Sequence, residues 1–543
     1  IQPLAGNLIP AARIHPVAKN ILSYYSLPNV PGTADGTNNL IRVNDPQVTT
    51  YYNHIARIDH SFSPGHRVFG RFNTYRRYST SDDWFRNLST GWSEDWPQHA
   101  FSFDDVVHLS PTTFLNTRYA YYRLLIAYVP NRDSLGFDLA SLGFPKSYAD
   151  AIDPAVRTFP TIGLTSYFTH NWQWFRYPHS NMSLESQVVS VRGNHTLKFG
   201  FDGRHYRTFQ YEPQNPGAGS SSTGLLNFAT TWTRGPFDNS PSSPKGQCLA
   251  SLLLGLPTGG SVDRKASFAE QATYWALYFH DDWRVTPKLT LNLGLRYELE
   301  GPMTERFNRS IRGYDFQTPS PLDAQVRANY ATNPITEIQP AQFRLVGGLT
   351  FPGVGGLPRT LWKRDINNFM PRLGFAYMPG PKTVVRGGYG IFYGPLGIPR
   401  GDVVQYGFSQ STALIPSLDN GMTFVATLSN PFPSGIQEPR GAADGLMTYV
   451  GRGIRFFDEN PAAGYHQRWQ LSVQRELPLR VLLEVGYTGN RGTKLQTTRN
   501  LRPLPPSYLS RSPVRDTATI NYLSAAVPNP FYPLLPGTGL SGT

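Results

Sequence analysis

The chain has 543 residues, of which 16% are charged and 13% aromatic, and its one cysteine is Cys248. The charged share lies below the roughly 25% of an average soluble domain, a lone cysteine excludes an internal disulfide framework, and no uncharged apolar run reaches the roughly 18 residues of a membrane-spanning helix. A net charge of +13 comes from dispersed Lys and Arg, with no basic stripe for nucleic acid, so nucleic acid is not an expected partner.

Residues 1–50 are rich in Pro, Asn and Gly and read as a loop, with a short apolar helix around Pro16 to Tyr25. The first strand pair, His54 to Phe62 and Arg67 to Tyr75, reverses at Ser63-Pro64-Gly65-His66. A second runs from Phe101 to Leu109, turns at Ser110-Pro111 and returns from Thr113 to Leu124. A third runs from Leu184 to Val191, turns at Arg192-Gly193-Asn194-His195 and returns along Leu197, Phe199 and Phe201. The fourth spans Tyr274 to Leu299. The fifth climbs through Phe369, Leu373, Phe375 and Tyr377, turns at Pro379-Gly380-Pro381-Lys382 and returns along Val385, Tyr389 and Ile391. The sixth has Trp469, Leu471 and Val473, turns near Leu477-Pro478 and returns along Val481, Leu483, Val485 and Tyr487. Each turn holds Pro or Gly, which fix or free φ where a tight reversal needs it.

The fourth pair carries the clearest signal. Leu289, Leu291, Leu293, Leu295, Tyr297 and Leu299 alternate with Thr290, Asn292, Gly294, Arg296 and Glu298. This period of two belongs to a strand and not to a helix. Six large apolar side chains on one face gain roughly 10 kcal/mol by leaving water. Arg296 or Glu298 facing lipid would cost up to about 2–4 kcal/mol, so that face is expected to look inward. In the preceding strand Trp275, Leu277, Phe279 and Trp283 share a face opposite His280, Asp282 and Arg284. Continuity of the apolar face requires an odd number of turn residues, most simply Thr286 to Lys288. Asp281 then falls on the outer face near the interface, where a charge costs about 0–1 kcal/mol. A hairpin of a soluble sandwich would alternate in the same way, so this pair alone leaves both readings open.

The spacing of the turns separates them. Their centres lie near positions 64, 111, 193, 287, 380 and 478. With strands of about 11 residues, most connections would hold roughly 60–75 residues, against about 4–6 in compact soluble domains. Short turns on one side and long loops on the other suit an outer-membrane barrel. A mean hydropathy of −0.36 does not oppose this, because the inward face and the loops dilute the average. The expected fold is therefore all-β: part of a transmembrane antiparallel β-barrel, about twelve strands, with long extracellular loops.

Several segments also carry a resemblance. They are YFHDDWRVTPKLTLNLGLRYELEGP from Tyr278, NNFMPRLGFAY from Asn367, TVVRGGYGIFYG from Thr383, RIDHSFSPGHRVFGRFN from Arg57 and VLLEVGYTGNRGTKL from Val481. In this order they resemble the barrel of TonB-dependent outer-membrane receptors, closest to the large Oar-like type of acidobacteria. GNLIPAARIHPVAKNIL from Gly6 is similar to a connection within that barrel. The resemblance implies a barrel of about 22 strands, an N-terminal plug, and a TonB box that contacts the inner-membrane energy complex. Oar-like members often add a small β-sandwich at the front. No plug, TonB box or front domain is visible here, nor a terminal strand with a final aromatic residue. Residues 1–543 are thus expected to be one partial receptor barrel domain, an internal fragment whose two edge strands carry unpaired backbone groups. Its expected partners are outer-membrane lipid, the TonB complex through the missing N-terminal region, and an unknown extracellular ligand.

Candidate chemistry is sparse. His54, His60 and His66 are six apart and share a strand face at most in pairs, so surface or lumen histidines outweigh a metal site. Asp281 and Asp282 are strand neighbours and point apart. Gly387-Gly388-Tyr389-Gly390 lies in a strand phase and lacks the lysine of a phosphate loop. Arg400-Gly401-Asp402 matches an adhesion tripeptide by chance. No catalytic residue, cofactor or metal is expected, and the chain does not read as an enzyme. Trp92, Trp96, Trp172 and Trp174 read as loop aromatics that stack on a sugar or contact a peptide, or equally as girdle or loop-packing residues. Three functions stay open: energised uptake of a glycan, peptide or metal chelate across the bacterial outer membrane; a passive porin or adhesin; and a soluble secreted glycan-binding protein.

Overall fold

Twelve strands pair in sequence order into one antiparallel wall. They are β1 (Thr49–Ser63), β2 (His66–Ser81), β3 (Trp92–Ser110), β4 (Thr113–Pro130), β5 (Trp174–Arg192), β6 (His195–Asn215), β7 (Phe268–Thr286), β8 (Leu289–Glu300), β9 (Asn368–Gly380), β10 (Thr383–Tyr393), β11 (Tyr465–Glu476) and β12 (Leu482–Thr493). The computed structural model describes residues 4–33, 37–41, 47–81, 83–170, 173–215, 220–234, 247–395 and 403–535. Among them β1 and β12 are the two edges and do not pair with each other. Among the described residues no helix is long and apolar enough to cross a membrane.

The alternation in sequence becomes the two faces of this wall. Across β7 and β8, Trp275 lies opposite Leu299, Leu277 opposite Tyr297, Phe279 opposite Leu295 and Trp283 opposite Leu291. The ladder carries the same phase to Phe199 and Phe201 on β6 and to Leu373 and Phe375 on β9. These side chains stand exposed on the protein: Leu277 is 60% accessible and Leu373 55%. A continuous apolar face of this size is stable only against lipid. The turn parity holds as well. A register shift between Arg284 and Thr286 inserts one residue, a bulge that keeps both apolar faces on one side. Similar shifts lie beside the turns after β1, β3 and β9.

Near the short turns two carboxylates do occupy the lipid-facing phase, and each has a histidine. Asp281 Oδ2 lies 2.8 Å from His195 Nδ1, and Asp105 Oδ1 lies 2.8 Å from His66 Nε2. In both cases the histidine opens its strand and the aspartate sits two registers further in, a repeated device at the short-turn rim. His54 and His60 share this outward phase with His66. All three therefore stand on one face, where only pairs were expected, because the β1–β2 turn returns His66 to the same side. Among the described residues no cluster fit to hold a metal occurs.

Strands β1 to β7 run longer than a bilayer crossing, while β8 to β12 are close to one. β6 spans His195–Asn215 and β3 begins at Trp92, so the wall projects beyond the membrane. Two connections shrink to match, to 131–173 and 216–267, whereas 301–367 and 394–464 keep the expected length. These connections fold into a cap. Four short strands, Gln410–Ala413, Gly259–Arg264, Leu225–Phe228 and Thr161–Leu164, lie side by side in that order. Helices Pro16–Leu22, Lys146–Ala151 and Gln247–Leu253 pack on them. The first helix starts where its sequence predicts: Pro16 sits in the first turn and His15 Nδ1 accepts from the Val17 N–H at 3.2 Å. Val17, Ile21, Phe159, Ile162, Leu226, Phe228, Cys248 and Leu252 form a closed core. A second, smaller cluster joins Ile311, Leu349, Phe351 and Val404 around the hairpin of Gly313–Pro319 and Val346–Thr350.

Candidate functional site

The face opposite the lipid is built of charge and aromatic rings. Arg296 on β8 donates from Nη2 to Asp202 Oδ2 at 3.0 Å and to the Tyr274 hydroxyl at 2.8 Å, and from Nε to Glu298 Oε1 at 2.6 Å. Arg204 forks onto both oxygens of Asp202 at 2.9 Å. Nearer the short turns, Asp282 gathers Lys198, His280 and Asn292. On β4, Arg118 and Asn116 donate to Asp104 at 2.8 and 3.0 Å. Asp281 and Asp282 thus serve opposite faces, as the strand pleat requires.

Rings cover the guanidiniums on the same face. Arg77 lies 4.6 Å over Trp96, Arg204 5.4 Å over Tyr274, Arg296 5.6 Å over Tyr278 and Arg372 4.8 Å over Phe392. Such a surface is wet, fixed in geometry by bidentate pairs, and able to stack planar groups and hydrogen-bond polar ones.

Where the cap meets the outer ends of the strands, a cleft of about 660 Å³ opens, lined among others by Asp153, Asp263, Arg264, Lys265, Arg309 and Glu438. Its side chains are held rigidly. Asp263 accepts from the Ser221 N–H at 2.7 Å, and Arg264 reaches the Ala151 carbonyl at 2.8 Å and Glu438 at 2.7 Å. Gln214 at the end of β6 donates to Thr161 Oγ1 at 3.0 Å, which ties cap to wall. Inside the cap His170 is fully buried, with Tyr25 at 4.1 Å and Phe159 at 5.0 Å between ring centroids. Among the described residues neither ring nitrogen has a hydrogen-bond partner. Burial pulls its pKa down to about 3, so it is neutral at pH 7.

Greasy and wet faces alternating along a twelve-stranded wall match what the family comparison finds. A model described as an outer membrane beta barrel domain covers residues 1–536. The chain belongs to the outer membrane beta barrel family. This outer-membrane protein turns tightly at the periplasmic side and carries its cap outside, by the rule for such barrels. The soluble alternative falls with that assignment.

No curated protein matches in sequence. Among solved structures, the chain is similar to the outer membrane transporter YddB from Escherichia coli, with 8% identity, a TM-score of 0.43, and coverage of 83% of this chain and 41% of that one. It is also similar to the ferric yersiniabactin uptake receptor FyuA from Yersinia pestis, with 8% identity, a TM-score of 0.37, and coverage of 82% and 46%. A double mutant of the Serratia marcescens hemophore receptor HasR, in complex with hemophore HasA and heme, gives 11% identity, a TM-score of 0.38, and coverage of 85% and 48%. The chain spans about half the length, or less, of these structures.

The tryptophans singled out from sequence sit differently from their expected loops. Trp92 and Trp96 lie within β3, and Trp174 opens β5. Pro97 disguised the first two: the ladder to β4 skips Trp96 and Pro97, because proline has no N–H to give. Trp92 is only 6% exposed. Trp174 packs edge-on against Tyr211 at 5.8 Å and against the cap core. Trp96 faces inward beneath Arg77. Trp172 and Arg400-Gly401-Asp402 fall outside the described residues. The inward arginine–tyrosine ladder was half visible, since Arg296 and Glu298 stood out by phase. Asp202, Arg204 and Tyr274 join them only through pairing of β6 with β7.

Proposed function

We propose that this chain is part of the wall and cap of a TonB-dependent receptor of the Oar-like type. It takes up an unidentified glycan, peptide or metal chelate from outside the cell. The observation that carries the reading is the inward face. Asp202, Arg204, Tyr274, Arg296 and Glu298 form a rigid polar ladder behind a greasy exterior, beneath a charged cleft at the cap. A ligand would enter at that cleft, and Trp96 would be the stacking residue to test first. The open edges of β1 and β12 call for further strands of a longer reading frame. That longer protein would supply the plug and the contact to the TonB complex.

The test is uptake by whole cells of a panel of labelled glycans, peptides and metal chelates. Deleting the full reading frame should abolish accumulation of one class. Collapsing the proton gradient should abolish it equally. Unchanged uptake after deletion refutes a transport role. Uptake that survives collapse of the gradient makes the protein a passive pore.

A further inference from the structure

We propose that the lipid-facing side of the wall holds a site for the phosphorylated headgroup of an anionic lipid in the outer leaflet. The argument rests on strand register and on the membrane location, and is independent of any transported ligand. Arg123 on β4 faces Ser180 on β5, and Ser180 faces Arg207 on β6. Arg207 faces Gln271 on β7, and Gln271 faces Thr304. These residues form one polar row across the wall. They share their phase with the apolar belt: four registers nearer the short turns the same row reads Tyr119, Leu184, Gly203 and Trp275. Of these, Tyr119, Leu184 and Trp275 are 38%, 44% and 49% exposed. Between the rows lie Tyr121, Met182 and His205, a boundary layer with an aromatic ring of the kind found at a membrane surface.

The height fits the edge of the bilayer. Arg123 is ten positions from the start of β4 at Thr113, and Arg207 twelve from the start of β6 at His195. A tilted strand crosses the hydrocarbon in about 9–11 residues. Both guanidiniums therefore emerge at headgroup level on the side away from the periplasm. There the wall is recessed into a cleft of about 810 Å³, lined by Arg123, Arg207, Arg306, Arg359, Tyr121 and Phe209 among others. All four arginines are exposed, and none is in an ion pair among the described residues. Among the described residues the one carboxylate at the cleft, Glu270, belongs to the inward phase, opposite Glu305. Arg359 is braced on the Glu305 and Arg306 carbonyls at 3.2 and 2.8 Å. Arg207 Nε donates to His205 Nε2 at 2.8 Å, which leaves its outer nitrogens to a ligand. Arg123 and Arg207 are two strands apart, about 10 Å, a span that a headgroup with two phosphates can bridge. Planar guanidinium forks suit phosphate oxygens, and the low dielectric beside the acyl chains strengthens the contact.

The experiment uses the full-length receptor extracted from outer membranes in mild detergent, with co-purifying phosphorylated lipid counted by mass spectrometry. The triple variant R123Q/R207Q/R306Q should retain about tenfold less, the loss of roughly one strong ionic contact. R386Q, an inward change, should retain as much as the parent. A triple variant that keeps the parent's lipid overturns the site. The parent alone gives a second reading. Its association with phosphatidylcholine vesicles containing phosphatidic acid should exceed that with pure phosphatidylcholine vesicles, and should fall as salt rises. Equal association with both vesicles overturns the site even if the triple variant fails to assemble.

Discussion

The cap and the wall bury apolar surface in opposite ways. In the cap, Phe159, Ile162, Leu226, Phe228 and Leu252 are wholly enclosed by protein. In the wall, Leu277, Leu373 and Val485 are more than half exposed by the protein itself, and lipid completes their surroundings. The cap follows soluble-protein rules, in which the hydrophobic effect closes a core. The wall is held by its hydrogen-bond ladder, which in hydrocarbon has no competitor from water. One chain thus carries two solvents' worth of design, and the same substitution means different things in each.

The largest expected effect is in the cap. Phe159→Ala removes a ring packed on Tyr24, Phe137 and His170 and should cost about 3–5 kcal/mol. Limited proteolysis should then cut within 131–173 while the strands stay protected; cutting at the parent's rate would contradict a closed cap core. In the wall the telling change is a charge. Leu277→Arg should cost about 2–4 kcal/mol in urea-dependent folding into vesicles, whereas at an exposed site on a soluble protein it would be nearly neutral. A value near zero would break the contrast outright.

Acid should separate the two regions next. His170 is held neutral, its pKa lowered from 6.5 to about 3 by burial. The unfolded cap binds a proton below pH 6.5 and the folded cap does not. Stability therefore falls as pH drops through this window, by about 2 kcal/mol at pH 5. Hydrogen exchange in the cap should accelerate at pH 5 relative to pH 7, and His170→Phe should remove most of that acceleration. The smallest effect belongs to the Lys146–Asp150 pair on the cap surface, 2.6 Å apart but 84% and 59% exposed. Asp150→Asn should shift stability by less than about 0.5 kcal/mol, and a larger shift in thermal melting would show that this helix bears on the core.

The wall was legible because period-two alternation is written locally. Leu289 to Leu299 announces its two faces without any partner, and the parity argument that placed Asp281 outward needed only a turn count. What sequence could not supply was pairing across distant strands. His195 reaches Asp281 and Arg296 reaches Asp202 through ladders that no local pattern encodes. The cap was hidden for a related reason. Its strands are as short as Leu225–Phe228 and come from three remote connections, so they read as composition-biased loops. The strand extensions beyond the bilayer were missed because Pro97 and Pro178 lie inside β3 and β5, where proline ordinarily signals a break.

The order in which the cap's pieces occur along the chain has a consequence for biogenesis. Val17 and Ile21 share one core with Leu428 and Phe432, and about three quarters of the chain lies between them. The outside module can therefore finish only after those later segments have been exported, since contacts this remote form late. Until then its sticky pieces are uncovered at the cell surface, and a stalled intermediate is the species most exposed to proteases and to clumping with its neighbours.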